Sequence, residues 1–248
     1  MICIYNLYDM FFKRKSFRRF DDTLTLSLEE LQNIEQHLNE VVPLLHNIKI
    51  EYRLVKREET TCKRGEYCLL VYSEQKENYL INVGYILEQL DLWMAFHNIG
   101  ACWYGMGKPD KLKCNELDYV IMLAFGKSLL EEFRKDYTKA KRKDLEAIWS
   151  GEYLPNVTNV VRFAPSACNS QPWRVVRENK YIRIFRSTEV RSIIPKAKLP
   201  FYNSIDMGVF LCFMEIALRH SQYEFKRMLY ENQKSDAEQI KIAEYTMY

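Results

Sequence analysis

Between residues 164 and 173 the chain reads Ala-Pro-Ser-Ala-Cys-Asn-Ser-Gln-Pro-Trp. Two prolines fix φ and small residues limit bulk, so this segment is a shaped turn and not helix interior or central strand. From it Ser166, Asn169 and Gln171 offer hydroxyl and amide groups to a planar, polar partner. A second set stands near the N-terminus, Arg14-Lys15-Ser16-Phe17-Arg18-Arg19-Phe20. Extended backbone alternates its side chains, which would turn Arg14, Ser16 and Arg18 to one side. Two guanidiniums and a hydroxyl on one face suit a phosphate dianion, because arginine presents its donors as a rigid fork. The same spacing also describes an ordinary basic surface patch. A third set, Asn-Ile-Gly-Ala-Cys-Trp-Tyr-Gly-Met at 98–106, flanks a turn with glycines that let backbone N–H groups approach a ring edge. Cys102 has no histidine or second cysteine at a useful spacing and reads as a packed thiol, and Trp103 reads as packing. His37, His46, His97 and His220 form no recognisable metal set, and no Ser/His/Asp or Cys/His arrangement occurs. No side chain is therefore assigned as an essential acid, base or metal ligand.

These residues need elements to hold them. Ser27 and Glu30 form a capping box ahead of Leu31, Ile34 and Leu38 at helical spacing. Residues 67–73 are strand-like. An almost continuous apolar helix is expected from Asn82 to His97, and a helix apolar all round must be buried all round. Gly100 is expected to cap it. Residues 119–125 read as a buried strand, and the basic stretch 134–143 as a solvated loop. A second pattern starts near Asp144: a short helix at Leu145 and Ile148, the proline-bounded turn, strands Trp173–Arg177 and Tyr181–Arg186, and another apolar helix from about Ile205 to Leu218. The class is α+β. Placing Gly208 over Gly84 superposes the two long helices. Placing Leu28-Glu29 over Leu145-Glu146 brings Tyr52–Val55 close to Trp173–Val176. By itself this register is equally compatible with an internal duplication and with none.

Composition narrows the partners. The 248 residues suffice for a sizeable core, as one large domain or two small ones. A hydrophobic share of 48% and an aromatic share of 14% exclude a disordered chain. Lys+Arg number 36 against 33 Asp+Glu, and a net charge of +3 argues against nucleic acid as a partner. Neither GxGxxG nor GxxxxGK[ST] occurs, which argues against a Rossmann or P-loop nucleotide site. The seven cysteines are an odd number without a CxxC pair, as expected of reduced thiols in a cytoplasm. Asp9 interrupts the apolar N-terminus and the basic cluster follows it, the wrong order for a secretory signal. The apolar runs read as too short to span a bilayer. A soluble cytoplasmic protein with no membrane partner is expected.

Ala164, Pro165, Ser166, Asn169, Gln171, Pro172 and Trp173 match the A-P-S-x-x-N-x-Q-P-W signature of the FMN-dependent nitroreductase family, which the chain resembles. That family carries R-x-S-x-R-x-F near the N-terminus, where it binds the FMN phosphate. Residues 98–106 resemble its G-x-G-x-C-W-x-G stretch beside the flavin, with Ala101 in place of the second glycine. Arg142-Lys143-Asp144-Leu145-Glu146 resembles its R-K-P-L-E segment, with Asp144 in place of proline; the basic residue there reaches the same phosphate. The resemblance is closest to members with two nitroreductase-like halves in one chain. It implies an internal pseudo-dimer of two α/β halves, 1–140 and 141–248, packed through their long central helices as one unit of 1–248. It also implies non-covalent FMN. Arg14, Lys15, Ser16, Arg18 and Arg142 would hold the phosphate, and Pro165, Ser166, Ala167, Asn169 and Gln171 the flavin. Backbone at Cys102, Trp103, Tyr104 and Gly105 would line the other flank. By the same resemblance NAD(P)H reduces the flavin, which then reduces a small electron-poor acceptor such as a nitroaromatic or quinone. Other readings are a non-redox flavin binder, a superfamily member that cleaves a cofactor or removes halogen, and a flavin-free structural relative. The motifs divide unequally: the first half has Val42-Pro43-Leu44-Leu45-His46-Asn47 where the signature loop should lie, and the second half lacks RxSxR. One complete site is therefore expected, in a chain that can work as a monomer; a further homodimer is also compatible.

Overall fold

The computed structural model describes residues 7–231 and 237–248. Of the cysteines, Cys3 lies outside the described residues, and the other six are free thiols. A short helix α1 (Met10–Lys13) ends where Arg14 turns to ψ 136. Helix α2 (Leu28–Leu38) starts on the expected capping box: Ser27 Oγ accepts from Glu30 N–H at 3.2 Å, and the Glu30 carboxylate accepts from Ser27 N–H at 2.8 Å. Strands β1 (Ile50–Lys56) and β2 (Tyr67–Ser73) follow, the second with the expected bounds. Helix α3 (Tyr79–Phe96) starts three residues before the expected Asn82 and is buried from Ile81 to Ala95 without a break, Glu88, Gln89 and Asp91 included.

Gly100 does not cap α3. Asn98, with φ 58, makes the left-handed turn, and Gly100 lies inside β3 (Ile99–Trp103). A Cβ there would come within 2.7 Å of the Phe17 ring, so the glycine serves a close approach between distant segments. Then come β4 (Lys113–Cys114) and β5 (Leu117–Lys127), which extends the expected strand 119–125 at both ends. The stretch 134–143 is a loop with one 3₁₀ turn, but it is not solvated throughout: Arg134 and Arg142 are half-buried. Tyr137 draws it onto the body by packing on Phe12 (4.6 Å) and Phe163 (5.0 Å). Leu145–Ala147 is a single 3₁₀ turn, followed by β6 (Trp149–Gly151), α4 (Pro155–Val161), β7 (Trp173–Glu178) and β8 (Tyr181–Ser187). Helix α5 (Leu199–His220), β9 (Phe225–Leu229) and β10 (Gln239–Met247) complete the chain.

The strands form two sheets. The first has the order β1-β2-β5-β3, with β4 also on β5; the second has β6-β7-β8-β10-β9. All pairings are antiparallel except β6 with β7. Leaving out α1, β4, β6 and the 3₁₀ turns, both halves run helix, strand, strand, long helix, strand, strand, and pair those strands in the same order. Even the register shift recurs, in β2/β5 at Val71/Tyr72 and in β10/β8 at Lys241/Ala243. Between the sheets α3 packs on α5 where Gly84 meets Gly208: a Cβ on Gly84 would overlap Ile205 O, and one on Gly208 would overlap Ile81 O. Backbone-to-backbone approach of this kind requires glycine on both helices. Contrary to the expectation from apolar runs, Lys196–His220 is long and apolar enough to cross a membrane, but 89% of its apolar window is buried in the protein. Buried Asn203, Ser204, Asp206 and Glu215 break the run in sequence without exposing the helix.

Candidate functional site

The N-terminal set splits. Arg14 is 4% exposed and turns into the core, where its Nε donates to Asp91 Oδ2 at 2.7 Å and its Nη2 lies 2.6 Å from the same oxygen. Glu88 stands 3.6 Å from the Arg14 Nε, and Trp103 Nε1 donates to Asp91 at 3.0 Å. Two acids on a helix buried all round need a counter-charge, and Arg14 supplies it. Burial, opposed by Arg14 and reinforced by Asp91, holds the Glu88 carboxyl well above its ordinary range. The expected common face of Arg14, Ser16 and Arg18 is thus not formed: Ser16 and Arg18 are exposed, while Arg14 and Phe17 point inward. Lys15 is half-buried with its ammonium 4.6 Å from the Phe17 ring centre.

Ser16 and Ala101 form a parallel bridge, with Phe17 N–H donating to Ala101 O at 2.9 Å. The bridge sets the N-terminal set beside Cys102–Gly105. Ser16 Oγ donates to Cys102 Sγ at 3.5 Å, and so does Arg64 Nη1 at 3.1 Å. Cys102 is 1% exposed, the packed thiol that its neighbours in sequence suggested. Arg64, whose guanidinium also lies over the Tyr104 ring at 5.5 Å, belongs to no motif.

The loop at 164–173 holds three non-glycine residues in left-handed conformation: Cys168 (φ 50), Asn169 (φ 57) and Gln171 (φ 49). Such backbone persists only when its surroundings over-determine it. Asp206 of α5 does most of this, accepting from Ala167 N–H at 2.8 Å and from the Ser170 hydroxyl at 3.2 Å. Burial pushes the Asp206 carboxyl up to about 7, against those two hydrogen bonds. Ser166 Oγ accepts from Gln171 N–H at 3.0 Å. Gln171 is 3% exposed; it accepts from Lys143 N–H at 2.8 Å and donates to Asn169 O at 3.3 Å. Gln171 is therefore scaffold, and its amide does not face outward as expected, because the strained loop consumes it. Asn169 is exposed, with Oδ1 accepting from Arg142 Nη1 at 3.0 Å. The R-K-D-L-E segment thus does come to the loop.

Two links join these parts. Tyr202 of α5 donates to Gly105 O at 2.7 Å, and a Cβ on Gly105 would lie 2.6 Å from the Tyr202 ring. On the other flank Arg134 N–H donates to Lys13 O at 3.0 Å. Burial, and then the Arg14 charge, lower the Arg134 guanidinium to about 10; burial, then Arg134, Arg14 and Arg162, do the same to Arg142. Buried Arg142 Nε and Arg162 Nε have no hydrogen-bond partner. Nothing local in the sequence marked Asp206 or Arg162; only their hydrogen bonds to the loop and to the Lys143 carbonyl single them out. Among the described residues no group of three or more candidate metal ligands occurs. A cleft of about 450 Å³ lined by Phe20, Lys56, Glu66 and Lys127, among others, lies apart from the loop.

A family model described as "Putative TM nitroreductase" matches residues 6–218. A crystal structure of a "putative nitroreductase" from Thermotoga maritima is 15% identical, covers 97% of this chain and 92% of that one, and superposes with a TM-score of 0.63. At this identity the likeness shows the fold. A nitroreductase family protein from Clostridium difficile is 14% identical over 62% of this chain and 100% of that one, at a TM-score of 0.46. A "Putative NADH dehydrogenase/NAD(P)H nitroreductase" from Bacteroides thetaiotaomicron is 14% identical over 59% and 98%, at 0.45. No curated protein matches the chain. Because the family model spans well over half of the residues, and the fold agrees with it over nearly the whole chain, this protein belongs to that nitroreductase family of oxidoreductases.

Proposed function

We propose that this chain is an FMN-dependent NAD(P)H oxidoreductase with a single flavin site assembled from both halves. The observation that carries it is the signature loop, held in a strained conformation with Asn169 exposed and Arg142 reaching it at 3.0 Å. Bound FMN would supply the electron transfer from NAD(P)H to an electron-poor acceptor, nitroaromatic or quinone. Arg142, with exposed Ser16 and Arg18, would meet its phosphate. Ser166, Ala167 and exposed Asn169 would meet the ring system and its side chain, and backbone at 102–105 the opposite flank. Arg14 would act at one remove, by neutralising Asp91 so that the RxSxR strand sits against β3.

The pseudo-dimer reading, with halves 1–140 and 141–248, is supported by the shared strand order and by the Gly84–Gly208 crossing. A monomer suffices for such a site, and a further homodimer is compatible with it. The test is to saturate the protein with FMN, remove the excess, and titrate anaerobically with NADH and NADPH. One flavin per chain that bleaches with either nucleotide is the expected result. No retained flavin would sink the reading, two per chain would sink the single site, and flavin that resists bleaching would leave a binding protein only.

A further inference from the structure

Two buried thiols of the first half meet at one hydroxyl. Cys68 of β2 stands opposite Val55 of β1 and Ala124 of β5, and packs in one cluster with Leu70 and Met122. The connection from β1 to β2 brings Cys62 into the same cluster. That connection is fastened at both ends. Thr61 N–H donates to Lys108 O at 3.0 Å, and Lys108 N–H donates back to Thr61 Oγ1 at 2.8 Å. At the other end Glu66 N–H donates to Phe125 O at 2.8 Å. Between these ties Cys62 N–H donates to Thr60 Oγ1 at 3.0 Å, and the same oxygen lies 3.7 Å from Cys68 Sγ. The Cys62 and Cys68 thiols hydrogen-bond to each other, and Cys62 Sγ donates in turn to Arg64 O at 3.5 Å.

The two sulfurs are not equivalent. The hydrogen bond from Cys68, against burial, and then the Arg64 backbone and charge lower the Cys62 thiol to about 7, while the same contact and burial push Cys68 up. A thiol that ionises near neutral pH beside one that keeps its proton is the pairing of an attacking with a resolving cysteine. Cys102 cannot replace Cys62 as the partner. It also stands opposite Ala124, on the far side of β5, so two strand spacings, about 9.5 Å, separate its backbone from that of Cys68. A disulfide does not bridge that span. We propose that Cys62 and Cys68 are a reversible oxidation site for hydroperoxides, Cys62 attacking the peroxide and Cys68 closing a disulfide with it. The Cys62 sulfur bonds to one peroxide oxygen, the O–O bond breaks, and the other oxygen leaves with the Cys62 proton as water or an alcohol. The Cys68 sulfur then bonds to the Cys62 sulfur, the S–O bond breaks, and the hydroxyl leaves with the Cys68 proton as water. The two thiols together give up two electrons, which the peroxide takes, and a dithiol reductant reverses the change. Cys62 is 3% exposed between exposed Thr61 and Lys63, so peroxide enters when this short surface connection opens. Closing the disulfide removes the S–H that Cys62 gives to Arg64 O, and Arg64 is the residue whose guanidinium holds Cys102. The site stands whether or not the chain binds a flavin.

The experiment treats the reduced full-length protein with hydrogen peroxide, blocks the remaining thiols with N-ethylmaleimide and maps the peptides by mass spectrometry, with melting curves as the folding control. Wild type should yield a peptide pair joined through Cys62 and Cys68, lighter by two hydrogens than the separate peptides, and dithiothreitol should restore both thiols. Cys68→Ala should stop at a sulfenic acid on Cys62, which dimedone traps. Cys62→Ala should give neither a disulfide nor a dimedone adduct on Cys68. Exposed Cys168 serves as the internal control for contact with peroxide. Oxidised Cys168 beside reduced Cys62 and Cys68 in wild type would overturn the site, and so would a disulfide that joins any other pair. A dimedone adduct on Cys68 in place of Cys62 would overturn the assigned order of attack. Should Cys68→Ala fail to fold, dimedone added together with peroxide to wild type must mark Cys62 and lower the yield of disulfide; a full yield without a mark would overturn the assignment of Cys62.

Discussion

In the first half Asn82 of α3 holds the 42–47 loop, accepting from Leu45 N–H at 2.9 Å and donating to Leu45 O at 3.4 Å. In the second half Asp206 of α5 holds the signature loop through Ala167 N–H and the Ser170 hydroxyl. Each stands two residues before the glycine of the helix crossing. An amide satisfies a donor and an acceptor of one residue, whereas a carboxylate only accepts and collects two donors of a folded-back loop. In the first loop Leu44 is buried, Gln89 bonds both the N–H and the C=O of Val42, and Arg227 donates to Leu44 O at 3.3 Å, while Val42, His46 and Asn47 stay exposed. The second loop is strained and leaves Cys168 and Asn169 exposed. Seven residues after each glycine comes a buried acid, Asp91 paired with Arg14, and Glu215 paired with Arg227 and with the Tyr85 and Tyr245 hydroxyls. One scaffold position therefore serves two ends, fastening one loop through both backbone groups of a single residue and holding the other in a strained, folded-back turn.

The crossing is where this comparison breaks most easily. Gly84→Leu and Gly208→Leu should each abolish cooperative unfolding, because a side chain must enter the facing helix backbone. Near-normal denaturation midpoints in either variant would show that the helices separate freely. Next in size, Arg14→Met strands Asp91 and should cost about 3–5 kcal/mol by urea unfolding without flavin. Arg227→Met should cost less, because the Tyr85 and Tyr245 hydroxyls still reach Glu215. Equal losses would mean that the two acids are held alike.

Asp206→Asn puts the first half's residue type into the second. The buried carboxyl has its pKa raised to about 7, from 3.8. Its stabilising effect is full below about pH 4 and is lost as pH rises toward 7, where it must ionise in the core. Relative to wild type, the variant should therefore gain stability from pH 5 to pH 8, on the order of 2–3 kcal/mol. Parallel stability profiles for the two proteins would rule out Asp206 as the titrating group. Smallest of all, Arg18→Ala should weaken FMN about fivefold at most, as for an exposed ion pair. A loss of about tenfold or more would return the phosphate to the N-terminal motif.

Much of the fold was legible because its signals are local. The Ser27–Glu30 box starts α2, residues 67–73 are a strand, and all-round apolarity announced α3 and α5 as central. Gly100 was misread because a glycine after a helix looks like a cap, and the ring that needs it smaller, Phe17, is remote in sequence. The site was legible only as motifs. Alternation placed Arg14 with Ser16 and Arg18, yet Asp91 on a helix far along the chain claims its guanidinium. Arg134 looked like a member of a solvated basic run, Arg142 was legible through the R-K-D-L-E resemblance, and nothing in the sequence singled out Asp206.

The sequence by itself determined what neighbouring residues impose on one another: the proline-bounded turn, the capping box, the apolar periodicity, and the presence of the signature residues. Those effects act through a few bonds, so they survive in any context. The tertiary structure decided which charges are paired, which amides are spent on scaffold, and which loop is strained. Coulomb attraction and desolvation depend on distance and burial, and chain folding sets both only when α3 and α5 meet at Gly84 and Gly208.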